Sequence, residues 1–298
     1  MSHAAAEQGI GAGRVVVGIS EALESLAAVR WGARHAEENG LDLLLVHARQ
    51  VPMPGPAAMH VMTYDRAPGN PAWVDAVATE VRAEHPAVDV ATTVLTGPPA
   101  HTLMRAAEGA AVLVIGSRGE RSLQAALLSG ISERLAAETP CPLIIVPVGE
   151  GFGDDASQAP VLLATDLSTD SEPATKFAFE VAHSTRRPLC ALTAANPQML
   201  RLQSFVQLPP DDVILDHADD ALRESLAPFR NAHPDVRVTT RVVSGDPVAQ
   251  IRRAARDAWL VVVGSRGQGF LRGTFFGSTS RDTLRAAPGP AAVVRSAT

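Results

Sequence analysis

The sequence predicts an α/β fold of two tandem, doubly wound, mainly parallel five-stranded sheets of Rossmann-like type. Three observations carry this reading. The chain repeats itself: GSRG occurs at Gly116–Gly119 and at Gly264–Gly267, an offset of 264 − 116 = 148. The same offset relates His85-Pro86 to His233-Pro234, Gly97 to Gly245, Arg105-Ala106-Ala107 to Arg253-Ala254-Ala255, and Pro140 to Pro288. Short Val/Ile/Leu runs without polar alternation recur in each half, as strands covered on both faces require. Helical amphipathic stretches separate the runs, and strands alternating with helices call for a parallel sheet.

In the first half the runs are Arg14–Ile19, Leu41–His47, Val88–Leu95, Ala111–Ile115 and Leu143–Val148. In the second they are Val161–Thr165, Pro188–Thr193, Val236–Val243, Leu260–Val263 and Ala291–Arg295. RVVVGIS at Arg14–Ser20 corresponds to PVLLATD at Pro160–Asp166 with an offset of 160 − 14 = 146, so insertions sit in the middle of each half. Asn70-Pro71 reads as an N-cap and first-turn proline for a helix ending near His85, and Asp246-Pro247 does the same for one ending near Asp257. The stretch 149–159, GEGFGDDASQA, is rich in Gly and acidic residues and reads as a linker between a first domain, 1–148, and a second, 160–298.

Composition narrows the function classes. With 26 Lys+Arg against 32 Asp+Glu the net charge is −6, which gives no general attraction to nucleic acid or anionic membrane. Apolar stretches such as Val112–Ile115 and Leu143–Val146 fall far short of the roughly 20 residues that span a bilayer. The N-terminus lacks a basic segment followed by an apolar one, so a cytoplasmic location is expected. Cys141 and Cys190 stand far apart without metal or disulfide spacing and read as buried small hydrophobes. The histidines, including His35, His47, His85 and His233, show no metal spacing. Lys176 is the single lysine and sits outside any Gly-rich loop, which excludes a Walker A site. Abundant Arg and Ala with almost no Lys suggests a GC-rich bacterial genome.

In doubly wound sheets ligands bind beyond the carboxyl ends of the strands, where strand order reverses. There the second half carries Gly264–Ser278, GSRGQGFLRGTFFGS, with glycines at 264, 267, 269, 273 and 277. Glycine lets a backbone approach an anion and present its N–H groups, and a following helix N-terminus adds its dipole. A set of tight turns would use the same glycines.

The spacing Gly264-x-x-Gly267, nine residues, then Gly277-Ser278 resembles the universal stress protein family, whose ATP-binding members carry this motif. The likeness runs from about Arg14 to Pro147 and from about Pro160 to Arg295, through SLAAVRWGARHA, LLLVHA at Leu43–Ala48 and PCPLIIVP at Pro140–Pro147. It implies an ATP-binding, non-enzymatic regulatory protein of the stress response, with Mg²⁺ held mainly by the triphosphate. It also implies that Asp166 lies near the adenosine, where a carboxylate accepts hydrogen bonds from ribose hydroxyls; capping of the next helix is the alternative. Ala164, Leu192, and Val243 or Gly245 are implied to line the adenine and ribose pocket. Arg266, together with Gly267, Gly269 and Gly277, would face the phosphates. Ser278 and Thr279 would offer hydroxyls to them or cap the helix.

The first half departs from the pattern. Ser20 stands where Asp166 does, Glu120 brings a negative charge into GSRGERSLQAALLSGIS, and Ser129-Gly130 reverses the expected order. Gly18, Val46, Gly116, Arg118, Gly119, Ser129 and Gly130 remain as candidate nucleotide contacts, and AMP preference or a scaffold role stay open for this half. No base accompanies the intact loop, so efficient ATP hydrolysis is not expected. A slow hydrolase and a nucleotide-free dimerisation scaffold are the competing readings. The family likeness further implies dimerisation through the last strands, between chains or, within one chain, between Leu143–Val148 and Ala291–Arg295; the protein partner is unknown. The connections Gln50–Pro71 and Asn196–Pro210 read as candidate gates.

Overall fold

The apolar runs form ten strands among the described residues: β1 (Val15–Ile19), β2 (Leu43–Arg49), β3 (Val90–Thr96), β4 (Val112–Ser117), β5 (Leu143–Pro147), β6 (Val161–Ala164), β7 (Leu189–Ala195), β8 (Val238–Ser244), β9 (Leu260–Gly264) and β10 (Ala291–Val294). Between them lie α1 (Leu23–Asn39), α2 (Ala72–Glu84), α3 (Pro99–Ala106), α4 (Gly130–Glu138), α5 (Glu172–Ser184), α6 (Asp211–Ala232), α7 (Pro247–Ala254) and α8 (Ser278–Ala286). This computed structural model describes residues 9–49, 71–117, 130–148, 159–195, 197, 209–265 and 278–296. The chain divides into two compact units, Met1–Gly116 and Ser117–Thr298.

In the first unit the strand order is β3-β2-β1-β4, every pair parallel. Val15, Val16 and Val17 are all 0% exposed, which explains why β1 lacks polar alternation: helices cover both faces. Gly32 of α1 allows close packing, since a Cβ there would stand 2.5 Å from Val17 Cγ2.

In the second unit the order is β5-β10-β9-β6-β7-β8. All neighbours are parallel except β5 and β10, which pair antiparallel with Ile144 opposite Ala292. The last strand and helix of the first repeat thus belong to the second unit, and the implied pairing of the two last strands is present.

The repeat is visible element by element. β1 and β6 begin 161 − 15 = 146 apart and β2 and β7 189 − 43 = 146, whereas β3 and β8 begin 238 − 90 = 148 apart and β4 and β9 260 − 112 = 148. The length change therefore falls between the second and third strands of each repeat. There α2 has 13 residues and α6 has 22.

Two expectations need correction. Pro71 occupies the N-cap of α2 and is not its first helical residue; its fixed φ of −54° leads into the helix without a side-chain cap, and Asn70 lies outside the described residues. Asp246 does cap α7, accepting a 2.8 Å hydrogen bond from Ala249 N. The runs assigned to β3 and β8 are not continuously buried. β8 (VTTRVVS) has no fully buried residue and β3 (VATTVLT) has one, because each ends its strand order and has a neighbour on one side only.

One pair of equivalent positions yields a stability prediction. Gly40 ends α1 in the left-handed region, φ 61°, its N–H reaching the Ala36 and Glu37 carbonyls. Its counterpart after α5 is Arg186, 186 − 40 = 146, at φ 54°. A side chain there costs what glycine avoids, so Arg186→Gly should raise unfolding stability by about 1 kcal/mol, read as a higher urea midpoint at unchanged slope.

Among the described residues no helix is long and apolar enough to cross a membrane. Among the same residues no group of three His, Cys, Asp or Glu side chains could hold a metal. Cys141 and Cys190 are buried free thiols.

Candidate functional site

Strand order reverses in the second unit between β6 and β9, which lie side by side with Ala164 opposite Val263. At their carboxyl ends stand Asp166, two residues past β6, and Gly264-Ser265 at the end of β9. Leu192 lies level with Ala164 on the other side. Ala164 and Leu192 are 8% and 1% exposed, so both present mainly backbone, and the Leu192 carbonyl accepts a 3.0 Å hydrogen bond from Thr165 N. The sequence run ended at Thr193, just past Leu192; β7 in fact continues to Ala195. Val243 lies on β8 opposite Ala194. Gly245, just past β8, adopts φ 118° and donates to the Ala195 carbonyl at 3.1 Å, a conformation that requires glycine.

The turn carrying Asp166 is closely specified. Asp166 Oδ1 accepts from Ser168 N at 3.1 Å and from Ser168 Oγ at 2.6 Å. It therefore closes the turn that precedes a 3-10 segment, Thr169–Ser171, and does not itself cap that segment or α5, whose N-caps are Ser168 and Ser171. Between them Leu167 holds φ 63°, with its N–H donating to Thr165 Oγ1 at 3.1 Å. Thr165 Oγ1 lies 3.0 Å from Ser171 Oγ, which donates to the Ser168 carbonyl. A non-glycine residue in this region costs on the order of 1 kcal/mol or more and persists only where its surroundings over-determine it.

On the β9 side, Ser280 Oγ donates to the Gly264 carbonyl at 2.6 Å, tying the first turn of α8 to the strand end. Ser265 N donates to the Val294 carbonyl at 2.9 Å. Its hydroxyl is 1% exposed and has no hydrogen-bond partner among the described residues. A buried hydroxyl left so is costly unless something else supplies the partner. Ser278 opens α8, with Thr279 exposed behind it. Arg266, Gly267, Gly269 and Gly277 lie outside the described residues, as do most of the two candidate gates.

The first unit arranges the corresponding edge differently. Gly18 lies between Val46 on β2 and Ile115 on β4. A Cβ on Gly18 would stand 3.0 Å from Leu103 Cδ1 of α3, and one on Gly116 would overlap the carbonyl oxygen of Glu24 in α1. Both glycines thus have packing reasons of their own. Ser20 turns toward α1: its Oγ lies 2.9 Å from Ser25 Oγ, and its N donates to the same oxygen at 2.8 Å. His47 places Nδ1 3.1 Å from the Ile19 carbonyl and meets Trp73 edge-on at 5.0 Å. Val46 is 0% exposed, and Gly130 opens α4. Arg118, Gly119, Glu120 and Ser129 lie outside the described residues.

Sequence reasoning did not single out Ser265, Leu167 or Trp73. Ser265 was legible as part of the repeated GSRG, but its burial without a partner among the described residues is a property of the packed edge. Leu167 and Trp73 carry no local signal.

The sequence model of the universal stress protein family matches residues 11–147 and 159–295. The chain is 32% identical over 289 residues to Universal stress protein Rv2005c of Mycobacterium tuberculosis, covering 94% of this chain and 96% of that one. A universal stress protein of Mycolicibacterium smegmatis is 31% identical over 305 residues, covering 99% of each. In fold it is similar to the crystal structure of a putative universal stress protein from Pseudomonas aeruginosa UCBPP-PA14, with TM-score 0.65 at 19% identity over 96% of this chain and 94% of that one. A twice-matching family, two repeats of one strand order and relatives of the same length give one conclusion: the chain belongs to the universal stress protein family and carries its domain twice in tandem.

Proposed function

We propose that the second repeat, residues 160–298, binds an adenine nucleotide, ATP in the first place, and that its occupancy controls how this protein engages others in the stress response. The observation that carries the reading is the pair of groups flanking the strand-order reversal. On one side a carboxylate, Asp166, sits in a strained and closely bonded turn; on the other, the buried Ser265 hydroxyl has no partner among the described residues, at the root of a glycine-rich stretch of sequence. The first suits ribose hydroxyls, and the second suits an anion's oxygen beside the N–H groups of loop and helix. Bound nucleotide would be held by Asp166, the loop glycines, Arg266, Ser278 and Thr279, with Mg²⁺ on its phosphates. The first repeat, residues 1–148, lacks the carboxylate and is assigned the lesser role, whether weak nucleotide binding or scaffold; 149–159 links the two.

Thermal unfolding tests this. Saturating Mg-ATP should raise the wild-type midpoint by roughly 5 °C, the shift expected near one hundred times Kd. Asp166→Ala should abolish the shift and Ser20→Ala keep it, with phosphate release at background. A shift that survives Asp166→Ala and disappears in Ser20→Ala contradicts the assignment to the second repeat. Steady phosphate release lost in Asp166→Ala makes the protein a hydrolase instead.

A further inference from the structure

The edge of each sheet opposite the candidate site carries charge of opposite sign in the two units. β1–β4 pair only in parallel, as do β6, β7, β8 and β9, so each intervening helix returns the chain to the amino ends of the strands. In the first unit three such returns, from the last helical turn to the next strand, are residues 36–42, 81–89 and 103–111. Their counterparts in the second unit are 182–188, 229–237 and 251–259, at the same offsets that relate the strands they lead into. The two edges are therefore built from equivalent loops, and their charges can be compared position by position.

On the first edge Glu37, Glu38, Asp42, Glu84, Asp89 and Glu108 are all exposed. Arg82 and Arg105 lie among them, and Arg14, which precedes β1, stands 3.9 Å from Asp42, so six acidic residues face three basic ones, a net charge of −3. The second edge is basic. Its first loop has Arg186 and Arg187 where the first unit has Gly40 and Leu41. The next keeps Arg230 in the place of Arg82 and puts Arg237 in the place of Asp89, 237 − 89 = 148. The third keeps Arg253 in the place of Arg105, puts Arg252 where Met104 stands and Arg256 where Glu108 stands, 256 − 108 = 148. Against seven arginines stand Asp235 and Asp257, a net charge of +5. Six of the seven are exposed; Arg187 lies over the Trp259 ring at 4.5 Å and donates to the Ala159 carbonyl at 3.2 Å.

A chain whose net charge is −6 gathers +5 on one edge only against the mutual repulsion of those arginines. A basic face of this kind attracts any polyanion. Here the same chain also presents an acidic face on the equivalent loops, with the sign reversed outright at Asp89 and Arg237 and at Glu108 and Arg256. Two first edges brought together set carboxylates against carboxylates, and two second edges set arginines against arginines. A first edge on a second edge sets unlike charges together, and such complementarity both steers encounter and selects the partner.

We propose that these edges are docking surfaces for a second copy of this chain, the acidic amino edge of the first unit in one copy receiving the basic amino edge of the second unit in another. The contact is electrostatic, reversible and sensitive to salt. It leaves the carboxyl ends of the strands uncovered, and the inference is independent of nucleotide binding.

Sedimentation equilibrium of the full chain tests it. With about 100 μM protein, the weight-average mass of the wild type in about 50 mM NaCl should exceed that in about 500 mM by roughly half or more. Glu84→Arg, Asp89→Arg and Glu108→Arg together turn the first edge basic; Arg230→Glu, Arg237→Glu, Arg253→Glu and Arg256→Glu together turn the second acidic. All seven positions are exposed, and far-UV circular dichroism checks that both variants fold. Each variant alone should lose the low-salt association, and an equimolar mixture of the two should regain it, because every edge then meets one of opposite sign. A wild-type mass that is the same at both salt concentrations, a variant that still associates alone, or a mixture that does not associate overturns the proposal. A wild type that stays single in low salt but binds a heparin oligosaccharide assigns the basic edge to a polyanion and overturns it as well. Where a variant does not fold, the salt dependence of the wild-type mass decides alone.

Discussion

Gly116→Ala should destabilise the first unit by about 3 kcal/mol, the upper end of what an overpacked contact costs. The substitution adds one methyl group to the end of β4, and that methyl would overlap the carbonyl oxygen of Glu24. Glu24 lies in the first turn of α1, a backbone atom that no side-chain rotation can move aside. Either α1 withdraws from the sheet, or β4 shifts against β1, to which Ile115 is paired through Gly18. A urea titration in the absence of nucleotide reads the effect. The same loss with and without Mg-ATP identifies packing as the role of Gly116. Wild-type stability with loss of ATP binding would instead make it a ligand contact.

The second large effect concerns pH. His35 lies on α1, 6% exposed, with its ring stacked on Trp31 at a centroid distance of 4.9 Å. Asn39 Nδ2 donates to the His35 carbonyl at 2.7 Å and lies 3.2 Å from Nδ1, contacts that suit a neutral ring. Burial pushes the imidazole down from 6.5 to about 4. Above the unfolded value both states are neutral and the full stability is present. As pH falls below it the unfolded chain takes up a proton that the folded chain refuses, so stability is lost through this window until the folded pKa is passed. The total is roughly 3 kcal/mol, of which about 2 kcal/mol disappears between pH 7 and pH 5. His35→Gln retains an acceptor for Asn39 and cannot titrate, so its urea midpoint should decline over that interval by markedly less than the wild-type midpoint. Parallel declines in the two proteins would show that His35 is not buried as a neutral ring.

Much of the architecture was legible because it depends on pattern. The 148-residue offset, the unbroken apolar runs of β1, β4 and β6, and the Asp246-Pro247 cap each rest on neighbouring residues. The helix start at Pro71 was misjudged by one position, since proline serves both at the cap and just inside. The exposure of β3 and β8 depends on which strands end the order, a tertiary fact. At the candidate site the sequence singled out Asp166 and Gly264 but not Ser265, whose hydroxyl becomes notable only once the fold buries it at the end of β9. Gly18 and Gly116 were candidate nucleotide contacts in the sequence, and packing against Leu103 and Glu24 supplies a reason that no local window contains.

The central claim is that nucleotide binding resides in the second repeat. Its most direct test is a calorimetric titration of the full-length protein with Mg-ATP, which counts sites per chain. About one site per chain in the wild type, retained in Ser20→Ala and absent in Asp166→Ala, is the predicted result. Absence of any binding heat together with no shift in unfolding temperature, or a site that persists in Asp166→Ala, would contradict it.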